Sequence, residues 1–77
     1  MTDRSIRNIT QLKLDEKAVV AKVKLPEGEA DRLDALGLHI GSTVRLLSGS
    51  VKDGILIAVG DGRIGVNYDV AQKIYVY

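Results

Sequence analysis

Turn signals punctuate this chain so densely that no regular element in it can be long. Pro26 closes one run of alternating residues, and Gly37 and Gly41 follow in "RLDALGLHIGSTVRLL". "SGSVKDG" and "GDGR" then interrupt the remainder. Proline has no N–H to give a β-ladder, and glycine enters backbone conformations closed to other residues. What lies between these breaks is short and mostly alternating, the pattern of strands with one face buried. Short strands joined by tight turns favour a small barrel or sandwich.

The chain has 77 residues, enough for one domain with a modest core. It contains no Cys, Phe or Trp, so neither a disulfide nor a thiolate metal site can staple it, and its core must be aliphatic. Residues 1–8 are polar and read as a flexible N-terminal segment, with one domain over residues 9–77. "ITQLKL" supplies Ile9, Leu12 and Leu14 as a short docked piece. Val19, Ala21, Val23 and Leu25 alternate with Val20, Lys22 and Lys24 as a first strand, which Pro26 ends.

"PEGEADRLDALG" predicts a helix. Glu27, Glu29 and Asp31 lie near its start, where the helix dipole favours negative charge. Ala30, Leu33 and Leu36 form its apolar stripe. Gly37 stands where a left-handed residue ends the helix, and Leu38 is placed to fold back onto it. After Gly41, "STVRLL" predicts a strand with Val44 and Leu46 on one face. "ILIAV" follows with Ile55, Ile57 and Val59 inward, then a hairpin centred on Asp61-Gly62. "RIGV" returns with Ile64 and Val66 inward. Asp69 is placed to cap one helical turn, and Ile74 and Val76 alternate with Tyr75 and Tyr77 in a last strand. The expected fold is mostly β with a short helix, a small SH3-like barrel of about five strands. The OB-fold is the alternative, although it needs longer strands.

Eleven basic and ten acidic side chains give a formal charge of +1, which does not supply the clustered basic surface that nucleic acid requires. No apolar run approaches the ~20 residues of a membrane span, and the N-terminus has no signal-peptide core. The cytoplasm is the expected compartment. His39 is the only histidine, and no Ser stands in a nucleophile elbow, so no catalytic constellation is advertised. Asp31 and Asp34 share one side of the helix and His39 follows, a set that could hold a divalent cation loosely. A solvated acidic face explains the same residues without a ligand, and no metal or cofactor is expected. "GDGRIG" lies between two strand patterns, so a hairpin accounts for its glycines better than a phosphate loop. A generic peptide- or RNA-binding module stays open, as for any SH3-like barrel.

Arg32, Leu33, Leu36, Gly37, Leu38, Gly41 and Val44, followed by Ile64, Val66, Ala71, Ile74 and Val76, resemble the pattern of the FeoA domain family. The family's proline before the second glycine is Ile40 here, the glycine-containing turn before its first strand is "LDEK", and Asn67 stands where a basic residue is common. The resemblance implies a small SH3-like domain, not an enzyme, that assists the ferrous iron transporter FeoB, a membrane GTPase. It also implies kinship with the C-terminal domains of DtxR-like metal-dependent repressors, and hence a metal-sensing alternative. With no winged helix in these 77 residues, the stand-alone form is expected. A domain without catalytic groups acts by binding. The helix side chains Glu29, Asp31, Arg32 and Asp34 are the first candidates for a docking surface, and the face carrying Tyr75 and Tyr77 is the second.

Overall fold

The computed structural model describes residues 6–77. Six strands and two helices follow one another: β1 (Arg7–Asn8), β2 (Lys17–Val23), α1 (Glu27–Ala35), β3 (Thr43–Ser50), β4 (Gly54–Val59), β5 (Gly62–Val66), α2 (Tyr68–Ala71) and β6 (Ile74–Val76). A 3₁₀ turn over Ile9–Gln11 leads out of β1 toward β2. The strands form one antiparallel sheet in the order β1-β6-β2-β3-β4-β5. It is mostly β with a short helix, as expected, with one strand more than the five predicted. Its edge strands, β1 and β5, do not pair with each other, so the ladder does not close into a barrel.

The sheet folds over on β2. Its first half pairs with β3 through Lys17, Ala18 and Val19, and its second half pairs with β6 through Val20, Lys22 and Val23. Just past the change of partner, a bulge at Ala21 leaves one residue extra against β6. That bulge corrects the predicted inward face. Ala18 and Val20 are buried, whereas Val19 and Ala21 are half-buried. Beyond the bulge the phase reverses, and Val23 and Leu25 pack against the core as predicted. A second bulge at Leu47 bends β3, and this strand runs on to Ser50, deep into the stretch predicted as loop.

The inward residues of β3 and β4 are as the alternation requires: Val44, Leu46, Ile55, Ile57 and Val59 are all buried. On β5 Ile64 is buried and Val66 half-buried. Ile9 and Leu12 dock into the same cluster, but Leu14 is exposed. The hairpin between β4 and β5 differs by one residue from the prediction. Val59 pairs with Gly62, so the two-residue loop is Gly60-Asp61, with φ +57° at Gly60 and no positive φ at Asp61. Glycine at the first loop position is the type II′ arrangement, and it takes precedence over Asp61-Gly62 because only Gly60 adopts positive φ cheaply there. Asp69 likewise lies inside α2, whose N-cap position is Asn67, without a side-chain cap.

The ordered pairing begins two residues before the expected boundary. Arg7 pairs with Val76 and Asn8 with Tyr75. Asn8 also accepts the Thr10 N–H and hydroxyl on its side chain, and Gln11 accepts the Asn8 N–H in return. Residues 1–5 of the predicted flexible segment lie outside the described residues.

Candidate functional site

The corner between α1 and β3 is built by backbone geometry. Pro26 precedes the helix, and its carbonyl accepts the N–H groups of Glu29 and Ala30 at 3.0 Å. Glu27 and Glu29 occupy the first turn, where the unpaired N–H groups favour them. At the other end, Gly37 has φ +97°. The Leu38 N–H reaches back to the Leu33 carbonyl at 2.9 Å, and the Gly37 N–H donates to Asp34 at 2.9 Å. This pair of bonds is the Schellman motif. Leu38 and Leu33 both belong to the core, at 1% and 8% exposure.

Leu36 departs from the predicted stripe and is 56% exposed. The helix stops at Ala35, and the reversal at Gly37 sends Leu38 into the core in its place. Beyond Leu38, Ser42 donates its N–H to the His39 carbonyl at 2.9 Å, and Gly41 has φ +94° at the third position of that turn. This is a type II turn. The Ser42 hydroxyl closes the corner: it donates to the Gly37 carbonyl at 2.9 Å and accepts the His39 N–H at 3.0 Å. Sequence reasoning missed this role of Ser42. Its only signal was a hydroxyl next to a turn glycine.

The helix presents its polar side chains in two directions. Asp31 and Asp34 border a shallow groove with Val23, Ala30, Leu38, His39 and Ile40. Glu29 and Arg32 border a different one, between α1, β5 and α2. Asp31, Arg32 and Asp34 are exposed, and Glu29 is half-buried. The four docking candidates therefore divide between two surfaces. The His39 ring is exposed and places Nδ1 3.1 Å from the carbonyl of Ile40. Although Asp31, Asp34 and His39 share a groove, no group of three or more His, Cys, Asp or Glu among the described residues is arranged to hold a metal ion.

Tyr75 and Tyr77 lie outside both grooves. Tyr75 is half-buried, opposite Asn8 on one side and Lys22 on the other, with the Lys24 ammonium 6.0 Å from its ring centre. Tyr77 exchanges both backbone bonds with Val19 at 3.0 Å and is 41% exposed.

The shorter of the two ion pairs among the described residues joins β1 to the turn before β2. Arg7 grips Glu16 with two guanidinium nitrogens, at 2.8 and 3.4 Å, and Glu16 also accepts the Lys13 N–H at 2.9 Å. Arg7's hydrogen bond, then the Lys13 N–H, hold the Glu16 carboxyl below its ordinary range, and the Arg7 guanidinium is raised in turn. In that turn Asp15 carries φ +67°, the one positive φ outside glycine among the described residues. Arg45 approaches its carboxylate at 3.9 Å.

Residues 7–77 match the FeoA domain family. The chain belongs to that family. No curated protein matches the sequence. Among solved structures, the chain is similar to an iron uptake regulatory protein of the FeoA type, with TM-score 0.81 and 20% identity over 96% of this chain and 97% of that one. It is also similar to Stenotrophomonas maltophilia FeoA complexed with zinc, with TM-score 0.74 and 28% identity over 91% and 88%. That protein is described as a prokaryotic SH3 domain protein and as a candidate activating factor for bacterial ferrous iron transport. T. acidophilum IdeR matches with TM-score 0.79 and 25% identity over 99% of this chain, which spans 35% of IdeR. No helix among the described residues is long and apolar enough to cross a membrane.

Proposed function

We propose that this FeoA domain is an accessory protein of ferrous iron uptake that acts by binding, without catalysis, to the cytoplasmic part of a FeoB-like transporter. The observation that carries this reading is the family match over residues 7–77. The S. maltophilia relative, described in terms of ferrous iron transport and covered over most of its length, supports it. The docking surface in this proposal is the acidic side of α1, where exposed Asp31 and Asp34 flank the Ala30/Leu38 groove beside the 66%-exposed Ile40. An apolar patch rimmed by charge is the usual composition of a transient protein contact.

Ferrous iron uptake in cells lacking this chain, with and without the chain supplied from a plasmid, tests the reading. Uptake is expected to fall without the chain and to recover with it. Equal uptake in both would overturn the reading.

The metal-sensing alternative draws on the similarity to IdeR and to a manganese-dependent transcriptional repressor. This chain spans 35% and 42% of those two proteins, and the Asp31, Asp34 and His39 set is its only candidate ligand group from the sequence.

A further inference from the structure

The β5 strand is terminal in the sheet, and its outer edge has no strand partner among the described residues. The hairpin register says which of its backbone groups face that edge. Val59 pairs with Gly62 across the two-residue loop, so Gly62, Ile64 and Val66 exchange bonds with β4. Arg63 and Gly65 therefore point their N–H and C=O groups outward. The phase agrees with the far side of the sheet, where Leu46 of β3 bonds toward residues 15 and 16 and so leaves Arg45 facing β4, opposite Ala58.

Helix α1 stands across from this edge. Together with α2 they enclose a groove of about 300 Å³. Ile64, Val66, Val70 and the exposed Leu36 give it an apolar lining, and Glu29 and Arg32 stand at its rim. Arg32 and Arg63 make no ion pair among the described residues. Gly65 lines the groove with backbone alone.

We infer that this groove takes an extended segment of a partner protein as an added strand against β5, with α1 as the opposite wall. Strand addition is the recognition mode in which main-chain bonds give affinity and side-chain pockets select alternate residues. The outward groups of Arg63 and Gly65 supply the main-chain bonds. The Leu36/Val66/Val70 surface selects an apolar side chain. Arg32 on the helix wall and Arg63 on the opposite face of β5, neither in an ion pair among the described residues, complement acidic residues at the positions beside it. The occupant is thus an extended apolar-acidic segment of another protein. This surface is distinct from the Asp31/Asp34 side of α1 and does not require the partner to be the transporter.

Selection of a random octapeptide display library on the full chain supplies the probe. Selected peptides are expected to combine apolar and acidic residues, to slow exchange of the Arg63 and Gly65 amides, and to lose affinity when alternate peptide amides are N-methylated. Gly65→Pro removes an outward N–H without touching the ladder to β4, a replacement edge strands accept. It should weaken binding roughly tenfold or more, the loss of a main-chain bond plus closer contacts. Leu36→Glu, at an exposed wall position, should weaken it as well while leaving the melting temperature near that of the parent. A library yielding no binders, binders indifferent to both folded variants, or protection of those amides by self-association alone would overturn the inference. Should Gly65→Pro fail to fold, the Leu36→Glu affinity and the amide protection decide the outcome.

Discussion

Ile40 occupies the second position of the type II turn that carries the chain from α1 into β3, a position where proline's fixed φ is already correct. Its side chain is largely exposed, and its N–H makes no backbone bond among the described residues. Ile40→Pro should therefore remove freedom from the unfolded chain at little native cost. The expected gain is about 0.4–1 kcal/mol, or roughly 2–8 °C in a domain of this size. Thermal unfolding followed by circular dichroism checks it, and a loss of stability would show that the turn differs from the type assigned. The role of Gly37 was legible in the sequence because a glycine after an amphipathic stripe has one common use. Leu36 was misread because spacing marks the stripe but not the residue at which a Schellman reversal replaces it with Leu38. Gly60 was misread because Asp-Gly and Gly-Asp overlap in "VGDGR", and pattern alone cannot choose between two registers one residue apart.

At the scale of elements, β1 is held by its two residue pairs with β6 and by the Arg7–Glu16 contact. The folded Glu16 carboxyl has its pKa depressed by Arg7 and by the Lys13 N–H. Its contribution to stability is therefore complete above the ordinary carboxylate pKa of about 4.3 and is lost as pH falls through the depressed value. Glu16→Gln keeps an acceptor for the Lys13 N–H but removes the charge. Urea midpoints measured from neutral pH down to the acid range should thus fall more steeply for the parent than for the variant. Parallel curves would mean that this partly exposed pair adds nothing to the acid dependence. The strands with one partner on each side throughout, such as β4, were read correctly because one alternation covers their whole length. The face of β2 was not, because a strand that changes partners beside a bulge holds two phases, and the sequence averages them. The pairing of Arg7 and Asn8 was illegible for another reason: a two-residue strand has no period to detect.

At the scale of the molecule, composition and spacing placed the chain among small β domains, and the FeoA pattern gave the family that the match over residues 7–77 establishes. Barrel closure was not recoverable from those signals, since it depends on whether the terminal strands meet, and here β1 and β5 do not pair. The candidate site was legible residue by residue but not as a surface. Glu29 and Arg32 proved to face one groove, and Asp31 and Asp34 another, because neighbours on a nine-residue helix project around its whole circumference. In the proposed role the acidic side of α1 docks on the transporter, and co-purifying a FeoB-like transporter with this protein carrying Asp31→Lys and Asp34→Lys tests that docking. Both positions are exposed, so stability should change by less than about 0.5 kcal/mol for each. Reversal of two rim charges should slow encounter, weaken the complex and invert its salt dependence. Weaker recovery of the transporter with a folded, normally expressed variant is the predicted result; recovery equal to the parent's at the same salt concentration would contradict it.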